Sequence, residues 1–342
     1  MKKIFLAITI SIYLQAVSAA EQVIHISIDG LYGSAIEILG DDSLPNFARM
    51  KDEGASTLAA RTDVDFTDTL PNHTSQFTGR RVDAAFGGHG WWINFEVGTS
   101  VNLHTLAGQY ITGIFDMVHD AGGLTSLFAG KDKFSVYVRS WDRTNGATDT
   151  NGVNNGKNKI DRYVLNADTA TLVTDFIDDL KATVRQYAFI HIRDPDAAGH
   201  DNRWNWTVGS EYMNSIVGVD SYLGEILSFV ESDINYKDST TIILTSDHGG
   251  QENGFSHEPV TPESHIIPFY VWGDGVASGV NLYDVNVCSA AEPVGTTNPP
   301  YNVKLQPVRN GDAANLASRL LGFSTIPQSQ IDTVVYLQNL DP

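Results

Sequence analysis

The stretch YAFIHIRDPDAAGH at residues 187–200, together with TTIILTSDHGG at residues 240–250, decides the fold class of this chain. Both stretches begin with an apolar run of the length and composition of a strand buried on both faces. Each run ends in an acidic residue and a histidine, which are Asp196 and His200 in the first and Asp247 and His248 in the second. Parallel strands bring their carboxyl ends to one edge of a sheet, where open α/β sheets bind ligands. We therefore expect these four side chains to lie together.

Two further runs extend this pattern. VIHISIDG ends in Asp29, and Gly30 permits a tight exit from the strand. His257 lies in the loop GGQENGFSHEP, before a fourth run, HIIPFYVWGDG, that starts at His265. The candidate ligands are thus three carboxylates and three imidazoles, a set that suits zinc or another divalent first-row metal and is large enough for two ions. Single Asp/His pairs of this kind also cap helices and turns, which is the structural alternative.

The order of elements predicts an α/β fold. Strand-like runs alternate with amphipathic helical segments, which favours a three-layer α/β/α sandwich with a mainly parallel central sheet. Helical periodicity precedes the first quoted stretch and separates the two, and a short helix is expected around residues 312–321. We expect residues 20–342 to form a single catalytic domain.

The first 19 residues read as a signal peptide. Lys2 and Lys3 precede an apolar stretch, and Val17, Ser18 and Ala19 form a small-residue cleavage site. A secreted or periplasmic protein without a membrane span after cleavage is expected. Cleavage would remove Lys2 and Lys3, so the remaining chain would have 20 of the 22 basic residues and all 41 acidic residues. Its formal net charge would be −21. Such a charge repels polyanions, so a small phosphate ester is a better partner than a nucleic acid polymer.

A hydroxyl nucleophile is suggested by FTDTLPNHTSQFTGR, which contains Thr69 and Asn72. A threonine hydroxyl between two metals is readily deprotonated, and the Asn72 amide can donate to a phosphoryl oxygen. The alternative is that Thr69 caps a helix that begins near Pro71.

In this combination the motifs resemble the alkaline phosphatase superfamily, and specifically its type I phosphodiesterase and nucleotide pyrophosphatase branch. ISIDG, TLPNH, TGR followed by GGHG at His89, DPDAAGH, SDHGG and IPFYVWGDG occur in the family's order. The segment from Pro307, PVRNGDAANLASRLLGF, is similar to the family's closing helix.

The resemblance implies two zinc ions per chain. One would be bound by Asp196, His200 and His257, and the other by Asp29, Asp247 and His248. Thr69 would attack phosphorus between them, and Asn72 would hold a nonbridging oxygen. Relatives often have His-Gly where this chain has His257-Glu258, so His265 is the rival ligand, although its position at a strand start favours a structural role.

The segment around Thr69 also bears on which reaction of the superfamily is expected. Sulfatases need Cys or Ser followed by Pro and Arg, whereas this chain has Thr69, Pro71 and His73. The additional arginine of the monoesterases is not evident, because Arg80 and Arg81 are expected at the surface. Lys131 and Lys133 in FAGKDKF are similar to lysines that receive the substrate carboxylate in phosphonoacetate hydrolases. We expect instead that both lysines are solvated, and contact with the substrate is the alternative.

Other residues carry less information about function. Cys288, the single cysteine, is expected to be a buried apolar residue. The polar segment at residues 141–159 is expected to be a surface loop, with calcium binding as the alternative. Trp91, Trp92, Trp204 and Trp206 either pack or contact substrate.

The sequence therefore predicts a metal-dependent hydrolase of phosphodiesters or pyrophosphates with a threonine nucleophile. The alternatives are a phosphomonoesterase, a phosphonate hydrolase, and a catalytically silent metal-binding protein on the same fold. The leaving group and the oligomeric state are not predicted.

Overall fold

The computed structural model describes residues 20–152 and 156–338. The proposed signal peptide at residues 1–19 lies outside the described residues. Within the described part, one sheet has eight strands: β1 (Gln22–Ile28), β2 (Ala55–Arg61), β3 (Thr125–Ala129), β4 (Arg162–Leu165), β5 (Tyr187–Ile192), β6 (Thr240–Thr245), β7 (Ile266–Gly273) and β8 (Val280–Asn281). The helices are α1 (Gly33–Leu39), α2 (Pro45–Glu53), α3 (Thr69–Thr78), α4 (Leu103–Ala107), α5 (Ile114–Asp120), α6 (Ser135–Ser140), α7 (Thr169–Ala182), α8 (Asp194–Asn202), α9 (Glu211–Ser232), α10 (Leu282–Val285) and α11 (Asp312–Leu320), with short 3₁₀ turns at Ala84–Phe86, Asp132–Phe134 and Pro262–His265.

The sheet order is β4-β3-β5-β1-β6-β7-β2-β8, and every strand except β7 runs in the same direction. The prediction of a mainly parallel sheet is confirmed. β5 and β6 are the direct neighbours of β1, so the three strands that end in the candidate aspartates are adjacent at the centre of the sheet.

Two apolar cores lie on the two faces of the sheet. Ile24 and Ile190 face the core that includes α1, α2, α7 and α9, whereas Phe189 faces the core with α3, α5, α6 and α11. Alternating residues of one strand serve both cores, which is why the central strands are apolar almost throughout. The three-layer α/β/α sandwich is therefore confirmed.

Helix α9 supports the loop that follows β1. The apolar side chains on its inner face, such as Ile216 and Leu227, are fully buried, and each such burial stabilises the fold by about 1.5–3 kcal/mol. The Tyr212 hydroxyl at its start donates to Gly30 O at 2.9 Å and accepts from Tyr32 N at 3.0 Å. The strand exit at Asp29 is thus fixed by a helix on one face of the sheet.

Three expectations about single residues are wrong or incomplete. Arg80 is buried and donates to Pro327 O at 3.0 Å, because the segment after α3 turns inward instead of across the surface. Arg81 is half-buried. Cys288 is exposed, because it follows the short helix α10 in a surface turn. The tryptophans differ: Trp91 and Trp204 are packed inside, Trp206 stacks on Tyr32, and Trp92 is exposed.

The polar segment at residues 141–159 is tied to the fold by an internal ammonium group. Lys159 is buried, and its Nζ lies 2.7 Å from Asp120 Oδ1 and also contacts Asp149. His119 Nδ1 contacts the same Asp149 carboxylate at 2.8 Å. The described part of the segment is thus held to the fold by this lysine, calcium binding stays an alternative, and residues 153–155 lie outside the described residues.

Candidate active site

Three carboxylates meet where the central strands end. Asp29 follows β1, Asp247 follows β6, and Asp196 lies in the first turn of α8 after β5. Asp196 N donates to Asp29 O at 3.0 Å, which holds the start of α8 against the end of β1. A Cβ atom on Gly30, whose φ is +73°, would lie 2.8 Å from Asp196 Cα, so glycine is required there.

Each aspartate has one oxygen that is held by a donor. Asp247 Oδ1 accepts from the amides of Gly30 at 3.1 Å and His248 at 2.9 Å. Asp29 Oδ2 accepts from His191 Nε2 at 2.8 Å. Lys131 Nζ lies 2.6 Å from the same Asp29 oxygen and 2.5 Å from Asp196 Oδ2. The three carboxylates are therefore fixed from outside.

The remaining oxygen of each aspartate and one nitrogen of His248 point toward each other. We call Asp29 Oδ1, Asp196 Oδ1, Asp247 Oδ2 and His248 Nε2 the inner atoms. All four are buried, and no described residue gives them a hydrogen bond. His248 Nε2 lies 3.3 Å from the Asp29 inner atom, 3.4 Å from that of Asp247 and 3.8 Å from that of Asp196.

Three convergent buried carboxylate oxygens without hydrogen bonds are costly unless positive charge lies among them, either as a metal ion or as a protonated His248. The donor set consists of carboxylate oxygens and an imidazole nitrogen, which fits a divalent metal. At these strand ends, two groups of side chains have ligand atoms close enough for an ion, and they share His248: Asp29, Asp247 and His248 form one, and Asp196, His248 and His257 form the other. His200 belongs to neither group. The residues present therefore fit metal ions.

Electrostatics at the inner atoms also favour positive charge. Burial lowers the pKa of His248, but Asp247 and Asp29 outweigh this effect and raise it to about 9. Burial would raise the pKa of Asp29, but Lys131 and His191 hold it well below its ordinary value, so this carboxylate is ionised. Burial raises the pKa of Asp247 to about 7. Positive charge is thus favoured among these groups at neutral pH, and without a metal ion His248 supplies part of it.

The three histidines occupy different positions. The His257 ring stacks on that of His248 at 3.8 Å between centroids, and its Nε2 lies 3.9 Å from Asp196 Oδ1. Burial lowers the pKa of His257 to about 3, so its imidazole is neutral, the state that binds metal. His200 is more exposed, at 44%, with Nε2 3.3 Å from Asp196 Oδ1 and Nδ1 donating to Phe255 O at 2.9 Å. It lies at the rim of the cluster.

His265 lies away from this cluster. Its Nδ1 contacts Thr62 Oγ1 at 2.8 Å, and its Nε2 donates to Pro259 O at 2.7 Å. The backbone of the loop brings His257 inward instead, since Thr67 Oγ1 donates to His257 O. Of the two rivals, only His257 is placed beside the aspartates.

Thr69 is the first residue of α3 and is buried. Asp68 takes the N-cap position and makes no side-chain capping bond, so Thr69 is not the helix cap of the alternative interpretation. No described residue hydrogen-bonds the Thr69 hydroxyl, while its carbonyl accepts from His73 Nδ1 at 2.7 Å. The same His73 nitrogen lies 3.6 Å from Asp247 Oδ2, an inner atom. This histidine links the start of α3 to the carboxylate cluster.

Asn72 uses its amide within the protein. Its Nδ2 donates to Phe66 O at 2.9 Å and Asp68 O at 3.1 Å, and its Oδ1 accepts from Asp63 N and Asn310 Nδ2, both at 3.0 Å. Both amide hydrogens are therefore engaged, and the predicted contact with a phosphoryl oxygen would require them to leave these partners.

The sequence contains no indication of Asn94 and favours solvated positions for the two lysines, with substrate contact as the alternative. Asn94 Oδ1 accepts from Leu70 N at 3.1 Å and from Lys133 Nζ at 2.9 Å, next to Thr69. The expectation that Lys131 is solvated is wrong, because it contacts Asp29 and Asp196. One signal could have located this lysine: it follows β3, the neighbour of β5, as the aspartates follow their own strands.

The sequence of the chain matches one protein family over most of its length. The model for "Type I phosphodiesterase / nucleotide pyrophosphatase" matches residues 23–85 and 89–318. The chain belongs to this family. Its type I phosphodiesterase membership identifies it as an enzyme that acts on phosphoesters.

Curated relatives match this chain over a shorter segment than the family model does. GPI ethanolamine phosphate transferase 1 of Aspergillus oryzae is 31% identical over 135 residues, which are 40% of this chain and 13% of that protein. The human protein of the same name is 33% identical over 88 residues, 26% of this chain and 9% of that protein. The matches thus span about an eighth or less of the relatives' length.

Solved structures with the same fold cover nearly the whole chain. Murine ectonucleotide pyrophosphatase / phosphodiesterase 5, in an inactive form in complex with AMP, has a TM-score of 0.58 and 14% identity, and the match covers 90% of this chain and 96% of that one. Phosphonate monoester hydrolase from Silicibacter pomeroyi has a TM-score of 0.58 and 12% identity, with 92% and 76% covered. The alkaline phosphatase-like fold of this family member is thereby confirmed.

Within residues 20–152 and 156–338, none of the helices combines the length and apolar character that a bilayer crossing requires.

Proposed function

We propose that this protein hydrolyses phosphodiesters or pyrophosphates with Thr69 as the nucleophile. Two divalent metal ions, zinc in the first place, would be held by Asp29, Asp247 and His248 and by Asp196, His200 and His257. The convergence of the four unpaired inner atoms beside the start of α3 carries this proposal. Family membership supports the choice of a phosphoester as substrate.

The reaction would proceed in two displacements. The Thr69 oxygen attacks phosphorus, the bond to the leaving alcohol or phosphate breaks, and the hydroxyl proton passes to solvent or to the leaving group. The intermediate is then a phosphodiester of Thr69 that keeps the second ester group of the substrate. Water attacks its phosphorus, the threonine oxygen leaves and is reprotonated, and a phosphate monoester is released. Bound divalent ions would supply Lewis acidity, which activates the hydroxyl and the water and neutralises phosphoryl charge.

The residues of the chain prepare this reaction by position. The Thr69 hydroxyl, unlike the Thr69 carbonyl, has no hydrogen bond to a described residue, so its oxygen need not break a contact before it attacks. It lies at the amino end of α3, where the helix dipole favours the negative charge of a phosphoryl group. His73 Nδ1 donates to the Thr69 carbonyl and lies 3.6 Å from Asp247 Oδ2, so its ring lies between the start of α3 and the carboxylate cluster.

Two measurements test the proposal. Rapid quenching during turnover of an aryl phosphodiester, followed by peptide mass spectrometry, should find Thr69 modified by the phosphoryl group together with its remaining ester group. Specificity constants for a matched aryl diester and monoester should favour the diester, which carries one negative charge and does not need an added arginine. Modification at another residue, or a clear monoester preference, would overturn the proposal.

A phosphonate hydrolase is the second candidate, favoured by one observation. Lys131 and Lys133 both lie at the site, the first against Asp29 and Asp196 and the second against Asn94. Ammonium groups in this position suit a substrate whose leaving group is anionic. Turnover of phosphonoacetate at a rate above that of the aryl diester would favour this candidate.

The curated relatives are named as transferases, and transfer differs from hydrolysis only in the second step. An alcohol would then replace water as the acceptor of the phosphoryl group. We propose water as the acceptor; product analysis with and without an added alcohol distinguishes the two, since a transferase would form the new diester.

A further inference from the structure

His191 lies in the middle of the sheet, just outside the proposed ligand set. It is the fifth residue of β5 and is fully buried. Its Nε2 contacts Asp29 Oδ2 at 2.8 Å, and its ring packs against Phe134 at 4.3 Å between centroids. Neither the two proposed ligand groups nor the proposed reaction assigns it a role.

The hydrogen bonds of His191 define which nitrogen carries the proton. The amide of Gly130 donates to Nδ1 at 3.2 Å, so Nδ1 is an acceptor. Nε2 must then be the donor in the bond to Asp29. Because β3 and β5 are neighbours, the end of β3 thereby fixes the tautomer of a side chain on β5.

This bond determines how Asp29 presents its carboxylate. The outer oxygen, Oδ2, is engaged by His191 and Lys131, whereas the inner oxygen, Oδ1, has no hydrogen bond among the described residues. A donor on one oxygen stops the carboxylate from rotating and leaves the other oxygen directed at His248 Nε2, 3.3 Å away. Groups that orient ligands in this way are known to set metal affinity.

We propose that His191 is a positioning residue that, with its tautomer set by Gly130, holds Asp29 for one of the two metal groups. This inference rests on the proposed metal-dependent function. It predicts an effect on one group only, since Asp29 belongs to the group with Asp247 and His248 and not to the group with Asp196 and His257.

Zinc titration of the metal-free full chain, in competition with a chromophoric chelator, tests the inference. His191→Phe keeps the aromatic packing but has no donor, and one of the two zinc-binding steps should weaken 10–100-fold while the other is unchanged. His191→Gln can place an amide donor near the Nε2 position and should restore most of the affinity. His25→Phe is the matched control, because His25 is also buried in the sheet but bonds the Tyr187 hydroxyl at 2.8 Å and no proposed ligand.

The control variant should lose thermal stability without a change in either zinc step. Unchanged zinc binding in His191→Phe, or equal weakening of both steps in His191→Phe and His25→Phe, would overturn the inference. A wild-type protein that binds no zinc would overturn the proposed function as well, so the two failures are distinguishable.

A measurement on the wild-type protein covers the case in which His191→Phe does not fold. In protein labelled with ¹⁵N-histidine, the His191 signal, assigned by its absence from His191→Gln, should show a protonated Nε2 and an unprotonated Nδ1. The opposite tautomer cannot donate to Asp29 and would refute the inference.

Discussion

Replacement of Thr69 by valine separates the proposed chemistry from the fold. Valine has nearly the shape of threonine and the same branching at Cβ, so the start of α3 is preserved. The hydroxyl makes no hydrogen bond with a described residue, and its removal therefore leaves no buried partner unsatisfied. The carbonyl that accepts from His73 belongs to the backbone and is unaffected.

The expected magnitudes follow from these contacts. Without a lost hydrogen bond, the free energy of unfolding should change by less than about 1 kcal/mol, which for a chain of this size is a shift in Tm of no more than about 4 °C. Turnover of an aryl phosphodiester should fall on the order of 10⁴-fold or more, because the nucleophile is gone. Thr69→Ser should retain part of the activity, since it keeps the hydroxyl and loses a methyl group.

Turnover, metal content and Tm should be measured on the same preparations of Thr69→Val, Thr69→Ser and wild type. The expected pattern is a large loss of rate in the valine variant with metal content and Tm close to wild type. Near-normal turnover in this variant would refute the role of Thr69. A loss of metal together with rate would show that the side chain acts through the ligand cluster instead.

Three further outcomes are expected. Elemental analysis should find about two zinc ions per chain, and chelation should abolish turnover and lower Tm, because unpaired inner atoms then remain buried; full activity without metal would contradict this. His257→Ala should lose zinc after dialysis, whereas His265→Ala should mainly lower Tm through its bonds to Thr62 and Pro259; metal loss in the His265 variant alone would reverse the assignment. Lys133→Ala should reduce turnover of phosphonoacetate more than that of an aryl diester if Lys133 receives the substrate carboxylate, and equal effects on both substrates would exclude that role. Lys131→Ala should slow both substrates, because Lys131 also holds Asp29 and Asp196.

Part of the site could be read from the chain because strand ends are local features. An apolar run followed by an aspartate predicts a buried strand and its carboxyl end, and parallel strands place such ends at one edge. Asp29, Asp196 and Asp247 were located in this way, and the structure brings them together through the order β5-β1-β6. The same rule applied to β3 places Lys131 at this edge as well, but lysine is most often solvated, so its residue type does not predict a buried position there.

Other features depend on contacts between distant segments. The choice between His257 and His265, eight residues apart, depends on the path of the loop over Thr67. The burial of Arg80 depends on the packing of the segment at Pro327, and the direction of β7 depends on how the chain returns to the sheet. None of these contacts leaves a periodic pattern in the sequence.

The sequence by itself determined the fold class, the family resemblance and the kinds of chemical group at the site, because hydrophobic periodicity and residue type are properties of the chain. The tertiary structure alone decided which atom of each group is free. Asp29 and Asp196 each have one oxygen engaged by Lys131, and Asp247 has one engaged by backbone amides, so the opposite oxygens remain to face His248. A carboxylate has two equivalent oxygens in the unfolded chain, and only donors brought from other strands make them different.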